Sequence, residues 1–294
     1  MKKLGHILAR RIRGDLILTD DPLTNRQARI ITPGAWLTDD EQDILEEDTV
    51  QNYRLGTRMV IDDRVFRYCY AKEELNAQSG AFMAPQEYWE GNGAIPEVAA
   101  GVTELEFDNK AAEPIEAHEL KDGWIAGVAT DATTIYCMRI KDNGASAGVG
   151  GVPATCTITL YRPMPLGIVG AAHRDYVYPN MYKNILAAGG VAYNQCLGTV
   201  VCVPQFKVTA ARYFWGLTWG IFYGLCGTWA ADVGQTVNKR IFHFDGNGSM
   251  VYRNGAPTVD QYFQPAGYIM LDGANNRWGA ITNGDQLCML QLSP

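Results

Sequence analysis

The residues able to do chemistry are few, and their spacing is wrong for the reactions they suggest. His173-Arg174-Asp175 spells the triplet of a kinase catalytic loop. A kinase also needs a Gly-rich loop, a lysine strand and an Asp-Phe-Gly metal site, and the chain carries none of them. The triplet reads as a polar loop. Gly148-Val149-Gly150-Gly151 would cradle a phosphate only if a Lys-Ser/Thr pair or a helix start followed, and Pro153 and a strand follow instead. Asp245, Asn247 and Ser249 have the spacing of the first three ligands of a calcium loop. Met250 stands where that loop needs glycine, and Ala256 where it needs a bidentate glutamate. The segment reads as a hairpin turn. Asn247-Gly248-Ser249 is also a glycosylation sequon, expected to be idle without a secretion signal.

The thiols and histidines are equally scattered. Cys196 and Cys202, with His243 or Cys226, make a zinc set on paper. Zinc pairs are usually separated by about two to four residues, and these two flank a strand-like run, so they read as buried thiols. His6, His118, His173 and His243 have no neighbouring Ser, Cys or Asp that marks a triad. Asp and Glu are abundant, but no pair is singled out for glycosidase chemistry. Trp215 and Trp219 sit four apart in a strand-like run and are expected to face the same way, with Tyr213, Leu217 and Ile221. Such a face is a core, a subunit interface or a sugar-stacking platform. Trp36, Trp89, Trp124, Trp229 and Trp278 add no pattern. No catalytic, cofactor-binding or metal-ligating residue emerges, and the expectation is a protein that is not an enzyme.

The elements that would carry these residues are strands. Of 294 residues, 47% are hydrophobic and 19% charged, ample for a large core. The 31 glycines and 15 tyrosines fit a β protein with many turns. Leu55 to Ala71 reads as two short strands joined at Asp62-Asp63. Val65, Arg67 and Cys69 alternate there with Phe66, Tyr68 and Tyr70. Further strands are predicted at 123–129, 134–140, 155–161, 197–203, 212–223, 240–244, 268–271, 278–282 and 287–292. Turn signals such as Asn143-Gly144, Asn254-Gly255 and Asn283-Gly284 separate them. No βαβ alternation appears. The fold class is all-β: an antiparallel sandwich or barrel-like domain over 51–294, as one unit or as two β subdomains divided near 163–180.

Residues 1–50 differ. Lys2, Lys3, Arg10, Arg11 and Arg13 make a basic start, and Asp39 to Asp48 an acidic end. Thr38 followed by Glu41 is a capping-box pattern and predicts a short helix over 39–47. The whole reads as an extended N-terminal arm. A net charge of −7 argues against nucleic-acid binding. Seven cysteines without paired spacing read as free thiols of a reducing cytosol. Leu4 to Arg13 is too broken for a signal peptide, and no apolar run approaches the roughly 20 residues of a membrane span. The expectation is a soluble protein made inside a cell, with no membrane partner.

Several segments together resemble a known group. Leu55-Gly56-Thr57-Arg58, followed by Val65 to Ala71, resembles the start of a diverse group of tailed-phage virion proteins encoded near the major capsid protein. Asp122-Gly123-Trp124, Tyr136 to Asn143, Thr157 to Tyr161 and Gly198-Thr199-Val200 follow in the same order. Val208 to Gly220, with its aromatic strand, completes the series. The resemblance spans Asn52 to Leu292 and carries no catalytic residue; the first 50 residues depart from it. It implies a virion structural protein on the bacteriophage capsid surface: a decoration, cement or minor head protein, made in the host cytoplasm, without a cofactor. Implied partners are the major capsid protein and copies of itself, as a homotrimer at a symmetry axis. The arm and the 212–223 face are then the expected assembly contacts, through Arg10, Arg11, Arg13, Trp36, Tyr213, Trp215 and Trp219. The alternatives are a self-assembling major subunit of a shell or tube, which lacks support from any long helix, and a glycan- or host-binding virion module.

Overall fold

A two-residue turn at Asp62-Asp63 folds the chain onto itself. Arg58 pairs with Arg67 and Ile61 with Arg64 across it. Asp62 takes φ of 55°, a left-handed value that aspartate tolerates in tight hairpins. In this computed structural model the described residues are 15–19, 27–31, 42–83, 89–90, 99–109, 114–128, 135–147, 154–164, 176–187, 199–224, 241–244, 248–251, 264–270 and 286–294. Among them every regular element is a strand. The strands are β1 (Asp15–Thr19), β2 (Gln27–Ile31), β3 (Arg58–Ile61), β4 (Arg64–Ala71), β5 (Ala81–Phe82), β6 (Trp89–Glu90), β7 (Glu104–Asn109), β8 (Trp124–Val128) and β9 (Ile135–Asn143). They continue as β10 (Ala154–Leu160), β11 (Tyr176–Tyr178), β12 (Val200–Pro204), β13 (Arg212–Gly224), β14 (Ile241–Phe244), β15 (Met250–Val251), β16 (Gln264–Ile269) and β17 (Gln286–Gln291). No helix among the described residues is long and apolar enough to cross a membrane.

The chain divides into two compact units. The first draws its strands from Asp15–Thr19, Gln27–Pro85 and Tyr182–Pro294; the second lies within Gln86–Met181. The sequence signals placed one division near 163–180; the units part at 85/86 and at 181/182.

The first unit holds an 11-stranded antiparallel sheet in the order β15-β14-β16-β17-β13-β4-β3-β1-β2, with β12 on β13 and β5 on β12. Its spine is the 13-residue β13. One edge of β13 pairs with β4 from Arg212 to Trp219. The other edge serves β12 at Gly216 and Leu217, then β17 from Trp219 to Gly224. Where β4 and β12 flank the first half of β13 the sheet is buried on both sides, as a near-continuous apolar strand implies. Phe66, Tyr68, Trp215 and Leu217 join one cluster; Cys69, Ala71, Phe214 and Cys202 join another on the opposite face.

The ladder slips between Leu217 and Trp219. A bulge of this kind adds one residue and turns the following side chains to the other face. The buried apolar positions accordingly pass from Trp215 and Leu217 to Phe222. Trp215 and Trp219 therefore do not share a face, contrary to the simple alternation of the sequence. Thr218 absorbs the slip: its hydroxyl reaches Val65 O at 3.3 Å and Ser293 O at 2.6 Å. Gly220 follows at φ of 112°, with a Cβ position only 2.8 Å from Arg64 Cα.

Two further expectations change. The described part of the predicted 39–47 helix, Gln42 to Glu47, forms a turn at Ile44-Leu45 instead. With two apolar residues it has no face to bury, and its polar groups bond to the sheet beneath. The strand expected at 268–271 begins earlier, at Gln264. Pro265 obscured it; the residue sits at a register slip between β14 and β16, where a sheet tolerates proline. The strand expected at 278–282 lies outside the described residues.

The second unit holds a six-stranded antiparallel sheet, β6-β11-β8-β9-β10-β7. It is one-sided. Leu105, Phe107, Ile125, Tyr136, Ile140, Ile158 and Val177 point to one core. Glu104, Glu106, Trp124, Cys137, Thr155 and Thr157 alternate with them and are exposed. The segment 115–123 closes the core. Its anchor is the buried Asn143, whose Oδ1 accepts from Leu120 N at 2.8 Å while Nδ2 donates to Glu116 O at 2.8 Å. Buried Asp122 accepts from the Tyr161 hydroxyl at 2.7 Å.

Candidate assembly surface

The chemical candidates come to little. His173, Gly148 to Gly151, Asp245, Asn247, Cys196, Cys226 and His6 lie outside the described residues. Among the described residues no three His, Cys, Asp or Glu side chains are grouped to hold a metal. Cys202 meets Cys69 across β13, with sulfurs 3.9 Å apart and both residues fully buried. They meet above Gly216, where any Cβ would lie 2.6 Å from the Cys202 sulfur. Burial pushes the Cys69 thiol up, and the Cys202 thiol beside it pushes the same way, so Cys69 stays protonated and a poor nucleophile. His118 Nδ1 lies 2.7 Å from Asp142 Oδ1 on the surface of the second unit. Cys137 is exposed, and Cys69, Cys156, Cys202 and Cys288 are buried.

The segment 42–53 is laid as a strap over an aromatic cluster of the first unit. Asp48 and Tyr213 exchange backbone hydrogen bonds of 2.9 and 2.8 Å. Gln42 Nε2 donates to Tyr213 O at 2.7 Å and to Glu46 O at 3.0 Å. Its Oε1 accepts from Tyr68 Oη at 2.8 Å, and its carbonyl from Trp215 Nε1 at 3.1 Å. Burial pushes the Tyr68 hydroxyl up, keeping it a donor. The rings of Tyr53 and Trp215 lie 5.1 Å apart, and those of Tyr70 and Tyr213 4.8 Å. Of the expected assembly residues, Arg10, Arg11, Arg13 and Trp36 lie outside the described residues. Trp215 is wholly interior, Tyr213 is half-buried under the strap, and Trp219 is half-buried beyond the bulge.

The bulge has a second effect. Beyond it, the residues turned away from the core are Trp219, Ile221 and Tyr223. The pairing then carries one line across four strands: Ile241 opposite Tyr268, Tyr268 opposite Met289, Met289 opposite Ile221. Directly paired residues share a face. Ile241 is 61% exposed, Tyr223 52% and Tyr268 43%. Met270 and Leu287 continue the patch along β16 and β17, and no charged residue interrupts this line. Natural sheets rarely leave such a row to water. Composition drew attention to the tryptophans and away from Ile241, Tyr268 and Met289. The signal was there: Leu287 to Leu290 is apolar on both faces, which a strand with one solvated face does not show.

No protein-family model, curated protein or solved structure matches this chain. What this apolar line can do is bury area against another protein.

Proposed function

We propose that the chain is a structural protein of a tailed-phage particle, which binds the capsid surface and stabilises or decorates the head. The observation that carries this reading is the apolar line Ile241–Tyr268–Met289–Ile221, in which Ile241 and Tyr268 are exposed and Met289 and Ile221 half-buried. It is rigidly held on four paired strands, as a permanent contact surface needs to be. A shell presents many identical sites, so modest affinity at each contact suffices for high occupancy. The resemblance of Leu55–Ala71 and Val208–Gly220 to capsid-associated proteins supports the same reading.

The test is the copy ratio of this chain to the major capsid protein in purified particles, by quantitative mass spectrometry. A ratio near one, or a simple fraction of it, is expected. Absence from the particles overturns the reading, and assembly of the purified chain alone into large shells or tubes replaces it with a major structural subunit.

A further inference from the structure

The second unit leaves one strand edge open, and the chain carries a segment whose chemistry fits it. β7 is the last strand of its sheet and, among the described residues, pairs on one side only, with β10. In an antiparallel pair the bonded and non-bonded positions alternate. Leu160 N donates to Thr103 O at 2.7 Å, so the bonded positions run Thr103, Leu105, Phe107 and Asn109. The N–H and C=O groups of Glu104, Glu106 and Asp108 therefore point the other way, out of the sheet. Burial agrees: Leu105, Phe107 and Asn109 are buried, whereas Glu104 and Glu106 are exposed and Asp108 is half-buried. An outward edge of this kind is a template for a further strand. The three carboxylates share the outer face of the sheet. Opposite them on β10 stand Thr159, Thr157 and Thr155, which bring no positive charge.

We propose that the edge of β7 receives residues 8–13 of a second copy of this chain as an added strand. That segment reads Leu8-Ala9-Arg10-Arg11-Ile12-Arg13. In an extended chain Arg11 and Arg13 fall on one side, two positions apart, as Glu104 and Glu106 do. Laid antiparallel, Arg13 meets Glu104 and Arg11 meets Glu106, with Ala9 at Asp108. Opposite charges directly across two strands attract. Main-chain hydrogen bonds give such a contact its strength, and the side chains set its register. The length of chain decides the source of the strand. Gly14 alone separates Arg13 from Asp15, which is paired with Ile31 in the first unit. So short a link suits a separate copy, free to take whatever approach the pairing needs. The contact gives the arginines of the arm a receiver. It does not depend on the capsid reading, which rests on the apolar line of the first unit.

The test is self-association of the full chain, by sedimentation in low and in high salt. Association is expected in low salt and should weaken as salt screens the charges. Glu104→Arg with Glu106→Arg should weaken it about tenfold or more, and so should Arg11→Glu with Arg13→Glu, because each change sets like charges face to face. Mixed together, the two double variants should associate, since each arm then meets an edge of opposite charge. A folding defect cannot produce that rescue, and thermal unfolding of each variant checks its fold. A chain that stays monomeric in low salt, association unchanged in either double variant, or no association in the mixture overturns the proposal.

Discussion

Gln42 uses both ends of its amide and its own carbonyl to tie residues on two strands to the strap. Truncating its side chain leaves the buried Tyr68 hydroxyl without its acceptor, a larger loss than the bond itself, while Trp215 Nε1 keeps the Gln42 backbone carbonyl and Tyr213 O keeps the Asp48 N–H. Gln42→Ala should destabilise the protein by about 1–3 kcal/mol, read from the urea midpoint. Trp215→Ala empties a fully buried site and should cost about 3–5 kcal/mol in the same assay. The thiols separate by burial in a parallel way. Iodoacetamide at pH 8 should label Cys137 in the folded protein and leave Cys69 and Cys202 intact, with peptide mass mapping as the readout. The burial of Cys202 and a core reading of Trp215 were legible in the chain; the ties of Gln42 were not. Gln42 and its partner Tyr213 lie 171 positions apart, and only the fold brings them together.

At the scale of elements, the β3–β4 hairpin, the long aromatic strand and β8, β9 and β10 were legible because each alternates cleanly or carries its own turn residues; β6, β7 and β11 were not among the expected strands. The bulge in β13 was not, since Thr218 and Gly220 look like ordinary strand residues until the pairing with β4 is known. Gly220→Ala forces a side chain into left-handed backbone against Arg64 and should cost about 1–3 kcal/mol by chemical denaturation. The strap carries its own pH dependence. The Asp48 carboxylate is held below its usual 3.8, first by the Val50 N–H and then by the Asn52 amide. A lowered folded value means the contribution is complete above 3.8 and is lost as pH falls through the folded value. Exchange of the Tyr213 amide, which donates to Asp48 O, should therefore be flat from pH 8 to 5 once corrected for intrinsic rate. It should accelerate only under strong acid. Loosening near neutrality would show that another group governs the strap.

For the whole molecule, the all-β class follows from composition and alternation, but which stretches of chain build each of the two units does not. The aromatic residues that looked like a surface in the sequence are partly core, and the surface is built from residues that no motif marked. Ile241→Asp puts a charge at the most exposed end of the apolar line without touching the interior. Occupancy on particles should fall about tenfold or more, with the unfolding midpoint unchanged. Normal occupancy would place the contact elsewhere.

The position of β17 has a consequence for how this protein is made. It is the last strand described, yet it lies in the middle of the sheet, between β16 and β13. The second unit's strands all leave the ribosome before β12 does. The first unit, in contrast, waits with an open gap until Met289 and Leu290 arrive. A chain cut short by a premature stop lacks the centre of the apolar line and the closure of the core beneath it. The apolar line and the core beneath it are therefore completed in one step, when β17 fills the gap between β16 and β13.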